Sequence, residues 1–78
     1  MIQKLIKQLA KEDLFLVKGQ SEGTWFVEVD GIVGGKVMGI HVASYKESTD
    51  KLKLTNNAGI LNFKQRDTLT QLNKQGVG

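Results

Sequence analysis

The stretch Ile32 to Gly39, "IVGGKVMG", sets three glycines beside a lysine and so raises the question of phosphate chemistry. A P-loop needs a glycine, four residues, then Gly-Lys-Ser/Thr, so that main-chain amides and the lysine surround the phosphates. Counting back from Gly35-Lys36, the first glycine position falls on Asp30, and Val37 replaces the hydroxyl residue. The Gly-x-Gly-x-x-Gly fingerprint of dinucleotide sites is absent as well, and no strand-helix-strand unit surrounds the cluster. A mechanical role explains these glycines better. Gly34-Gly35 supplies the positive φ of a tight turn, and Gly39 marks a bend or a close backbone approach. Glu28 and Asp30 share a strand face roughly 7 Å apart, which would suit a carboxylate pair but equally an exposed polar face. His41 is a lone imidazole in a chain without cysteine, and no serine or threonine has an activating context. No catalytic residue, metal site or cofactor is expected, and the protein reads as non-enzymatic.

Seventy-eight residues, 40% of them apolar and 24% charged, allow one small globular domain over residues 1–78. So small a core usually needs a staple, and the absence of cysteine rules out disulfides, which leaves self-association. The apolar runs are too short to span a membrane, and the N-terminus lacks a signal-peptide block, so a cytoplasmic location is expected. A net charge of +3 is compatible with a nucleic-acid partner without being diagnostic of one.

Those residues must be positioned by short elements. Ile2, Leu5, Ile6, Leu9 and Ala10 form the apolar stripe of an amphipathic helix over about residues 2–11. "LFLVKG" is a short apolar run. "TWFVEVDG" then alternates, with Trp25, Val27 and Val29 on one side. "GKVMGIHVASY" sets Met38, Ile40 and Val42 against Val37, His41 and Tyr45. "KESTD" is a turn, "KLKLT" a strand with Leu52 and Leu54 inward, "NNAG" a turn and "ILNFK" a strand. Thr68 with Gln71 offers a capping box for a last helix, whereas Leu69 and Leu72 would also suit a closing strand. One helix and four to six strands on hairpin-length connections predict an antiparallel sheet.

A helix followed by a bent antiparallel sheet resembles the Sm-like family, including its bacterial Hfq branch. "VEVDGIVG" leads to Gly34, and Gly39 follows five residues later, as in the first Sm motif. "FKQRDTLTQL" offers Phe63, Lys64, Leu69 and Leu72 in the order of the second motif, one residue longer. The aspartate usual six residues past the second glycine is Tyr45 here. The resemblance implies a homo-oligomeric ring whose fourth and fifth strands pair between subunits. It also implies single-stranded RNA at the pore, held by the loops "SYKESTD" and "FKQRD". Lys64 matches a family binding position; Tyr45 and Arg66 join it by residue type, as a stacking surface and a phosphate or base contact.

The expected fold is therefore mostly β with an N-terminal helix: a small, strongly bent antiparallel barrel, SH3-like or Sm-like, over about residues 14–72, with a short tail over 74–78. The alternative is α+β, a helix packed on an antiparallel sheet with a C-terminal helix. The expected function is non-enzymatic binding of single-stranded RNA by an oligomeric ring through Tyr45, Lys64 and Arg66. Neither a membrane nor a small-molecule substrate is expected as a partner. The competing function is a small protein-binding or inhibitory module, possibly of phage type, that uses exposed strand edges. A double-stranded RNA-binding domain, with its helix, three strands and helix, is a third possibility.

Overall fold

The computed structural model describes residues 2–76. The chain runs α1 (Ile2–Ala10), β1 (Leu14–Lys18), β2 (Thr24–Val33), β3 (Lys36–Lys46), β4 (Lys51–Leu54), a 3-10 turn (Asn56–Ile60) and α2 (Phe63–Gln75). The strands form one open antiparallel sheet in the order β1-β2-β3-β4. The barrel is thus corrected to the α+β alternative: four strands, with one helix before them and one after.

The correction has a local cause. "ILNFK" is not a strand, because Asn62 caps α2. Its side chain accepts from the Gln65 amide at 2.7 Å, and the Gln65 side chain accepts from the Asn62 amide at 3.0 Å. This reciprocal capping box starts the helix five residues before Thr68. The Gln65 side chain also donates to the Glu12 carbonyl at 2.9 Å, which ties α2 to the end of α1. Residues 60–64, expected as a strand, are therefore turn and helix, and of the two readings open around Leu69 and Leu72 the helix is the one formed. Of the expected tail, Lys74 and Gln75 belong to the last helical turn, Gly76 caps it, and residues 77–78 lie outside the described chain.

Both helices pack on one face of the sheet. Leu5 and Leu9 of α1 and Leu69 of α2 meet Leu14, Val27, Val42, Ala43, Tyr45 and Leu52, with Ala58 and Leu61 closing the edge. At the far end of α1 the chain turns at Asp13, which adopts a left-handed φ of 60°. A bulge in the β2–β3 ladder lets Val42 and Ala43 both point into the core, since Val27 pairs with Ala43 but Glu28 with His41. Beyond it the parity of β3 is reversed. Tyr45, expected outward with His41, points inward and is 6% exposed.

Gly34 and Gly35, at φ 57° and 80°, form the two-residue turn joining β2 to β3, as the sequence predicts. Gly39 is a close approach: the Glu28 carboxylate lies over it, where a β-carbon would stand. The hairpin outruns its neighbours. β1 begins opposite Val29 and β4 ends opposite Ala43, so Asp30–Val33 and Lys36–Gly39 have only each other as strand partners. They form an arm about 13 Å long by strand rise.

Candidate nucleic-acid interface

The sheet face away from the helices is open. Pairing register places Phe15, Val17, Phe26, Glu28, His41 and Ser44 on it, with Lys46, Lys51 and Lys53 at one end. Phe26 and His41 hold their rings 4.3 Å apart at 35°. His41 Nε2 and Ser44 Oγ lie 3.0 Å apart, within hydrogen-bonding distance. The His41 carbonyl accepts from the Thr55 hydroxyl at 2.9 Å and from the Asn57 side-chain amide at 3.1 Å, which fixes this part of β3 against the 3-10 turn. Phe15 lies 3.4 Å from where a Gly39 β-carbon would sit, so the aromatic side chains extend across three strands.

Strand alternation creates the basic end. Leu52 turns into the core, and Lys51 and Lys53 on either side of it turn out. Lys46 stands directly opposite Lys51. Like charges in that position destabilise a sheet, and among the described residues the three lysines form no salt bridge. Thr24, Ser44, Tyr45, Lys46, Thr49, Lys51 and Lys53 line a shallow pocket of about 310 Å³. This end of the face is thus a lysine-bordered hollow whose wall is almost wholly apolar, beside an aromatic surface.

The three residues singled out from the sequence are not brought together. Tyr45 has its ring in the core, and its hydroxyl donates to Asp50 at 2.6 Å. Lys64 and Arg66 are exposed in the first turns of α2, beside Gln65 and hence near Glu12. Asp50 lies near Gly76, at the other end of α2, and ten residues of helix span about 15 Å. Tyr45 therefore offers only a small part of its ring, at the wall of the hollow, and no open face for stacking. Lys46, Lys51 and Lys53, missed in the sequence, carried a signal there: in "KLKLT" the lysines alternate with leucines expected inward, of which Leu52 is buried while Leu54, at the end of the strand, is 46% exposed.

Burial first, and then the Asp50 hydrogen bond and charge, push the Tyr45 phenol up to about 12. Because the folded form holds its proton more tightly, the stability that Tyr45 contributes is complete below pH 10. It is lost as pH rises towards 12. Tyr45 is the only tyrosine, so tyrosinate absorbance should titrate near 12 in the folded protein and near 10 in denaturant. A folded midpoint near 10 would contradict the burial described. Tyr45→Phe should remove the corresponding fall in melting temperature.

No family model, curated protein or solved structure matches this chain significantly. Among the described residues no helix is long and apolar enough to cross a membrane, and no cluster of His, Asp and Glu could hold a metal ion.

Proposed function

We propose that this protein binds single-stranded RNA on the open face of its sheet, without catalysis. The observation that carries the reading is the juxtaposition of Phe26, His41 and Phe15 with Lys46, Lys51 and Lys53 on one uncovered face. Single strands are held by bases stacking on aromatic groups, worth about 1–3 kcal/mol per base, and by cations tracking the phosphates. The site residues of this reading are Phe26, His41, Lys46, Lys51 and Lys53, replacing Tyr45, Lys64 and Arg66. The reading does not need a ring.

Fluorescence anisotropy with labelled oligouridine and oligoadenosine tests it, with DNA of the same sequence as comparison. Binding should be detectable at roughly 50 mM salt and weaken as salt rises. Replacing Lys51 and Lys53 together by alanine should flatten the logarithmic salt dependence by about 1.4, since each phosphate contact on a single strand contributes about 0.7. Phe26→Leu, which keeps an apolar side chain but loses the ring, should weaken binding about 5-fold or more. Lys64→Ala with Arg66→Ala should leave affinity nearly unchanged. No affinity at low salt, or a loss confined to the Lys64 and Arg66 variant, would remove the proposal.

A second reading, strand addition by a partner protein, has one observation in its favour. The Gly19 amide donates to the Thr24 carbonyl, so ladder alternation turns the main-chain groups of Leu16 and Lys18 outward along an unpaired β1 edge.

A further inference from the structure

We infer that the arm end of the molecule is a self-association surface that seats a second copy of this chain across a two-fold axis. Six large apolar side chains are exposed there. Ile32, Val33, Val37 and Met38 belong to the arm, with Ile32 77% and Val37 70% exposed. Ile60 and Phe63 join them from the corner between the 3-10 turn and α2, Phe63 at 81% exposure. Hydrogen bonds set that corner at the arm end. The Thr55 amide donates to the Val42 carbonyl, and Asn57 to the His41 carbonyl, so the turn starts beside the root of the arm. Gln65 reaches Glu12, two residues before Leu14, which pairs with Val29 at the last position before the arm departs.

Three arguments select a second copy as the occupant. The first is area. These six residues leave on the order of 800 Å² open, about what each partner contributes to a stable interface. The second is shape. Register puts Ile32 and Val37 on the open face of the ribbon and Val33 and Met38 on the helix face. A ribbon apolar on both sides is not covered by lying on one flat surface. Two chains that exchange arms provide two walls, the partner's arm and the partner's Ile60–Phe63 corner. The third is charge. The arm's only charged residues are Asp30 and Lys36, near its root and its tip. Asp30 lies on the open face and Lys36 on the helix face, so a two-fold contact of either face sets at most one charge of each copy near the seam. A two-fold contact satisfies both copies at once and closes the assembly. The arm also contains no proline and little charge, and so lacks the usual protections of a free edge.

Sedimentation equilibrium of the full chain from about 5 to about 200 µM tests the inference. The expected species at the upper end is a dimer, twice the 8.6 kDa of the chain. Ile32→Glu with Val37→Lys replaces an apolar cross-strand pair by an opposite-charge pair, which keeps the hairpin while removing its contact surface. This variant should raise the dimer dissociation constant about 100-fold. Its circular dichroism melt should match that of the parent protein at dilutions where both are monomeric. Phe63→Asp places an acid in the first turn of α2, where the helix dipole favours it, and should raise the dissociation constant about 10-fold. A chain that stays at monomer mass throughout overturns the inference. So does assembly beyond two copies, or unaltered association of the arm variant. The surface excludes Lys46, Lys51, Lys53 and Phe26, so these outcomes are independent of RNA binding.

Discussion

Leu9→Ala is expected to lower the free energy of unfolding by about 3–5 kcal/mol, the cost of emptying a fully buried leucine site whose walls relax only in part. Leu9 is 0% exposed and packs, with Leu5, into the core shared by the sheet and α2. Domains hold about 0.05–0.15 kcal/mol per residue, so 78 residues have only about 4–12 kcal/mol in total. One truncation then removes a large share of the stability. The melting temperature, followed by far-ultraviolet circular dichroism, should fall by about 12–40 °C. A fall below about 5 °C would mean that α1 is not seated on the sheet as described. Ile6→Ala is the matching control, because Ile6 lies on the same helix at 42% exposure. Its effect should be within about 1 kcal/mol.

Gln65→Ala is expected to cost about 2–4 kcal/mol, although a polar residue is removed and helix propensity improves. Gln65 is 9% exposed and serves two partners at once: it accepts from the Asn62 amide and donates to the Glu12 carbonyl. Its loss undoes the start of α2 and the tie to α1 together. Gln65→Glu separates the two functions. A carboxylate still accepts from Asn62 but faces the Glu12 carbonyl with no proton to give. Protonation restores the donor, so the folded state of this variant favours the neutral acid and holds its proton more tightly than the unfolded chain. Its stability should accordingly be greatest at low pH and decline as pH rises through and above the usual carboxylate range near 4. Guanidinium melts of both variants at two pH values measure this. A Gln65→Glu variant insensitive to pH, or one as stable as the parent protein at neutral pH, would contradict the bridge to Glu12.

The parts of the fold legible in the sequence were those where apolar spacing is uninterrupted. The α1 stripe, the alternation of β2, the Gly34-Gly35 turn and the inward Leu52 all follow from local pattern. Two features broke the pattern. The inward face of α2 includes Gln65 as well as Leu69, with Leu61 buried just before the helix, so a polar residue interrupts the apolar period at its centre. The capping box read at Thr68–Gln71 is displaced by the one that the structure forms at Asn62–Gln65. Burial of Gln65 against Glu12 favours the latter, and that contact spans 53 positions and cannot be read locally. The second feature is the bulge at Val42. It adds one residue, and every side chain after it changes face. Simple alternation sets Tyr45 opposite Val42, whereas the bulge carries its ring into the core, away from the stacking role that its residue type suggests. The lysines of β4, which lies beyond the bulge on a separate strand, kept the parity given by Leu52.

At the opposite border of the sheet, the Leu52 amide donates to the Asn73 side chain at 3.0 Å. The last helix thus occupies a position that another backbone would need, and lateral growth is blocked there by the molecule's own C-terminal segment. The flank beside β4 is thus closed at Leu52, and another strand can add only along β1 or along the two outer edges of the arm.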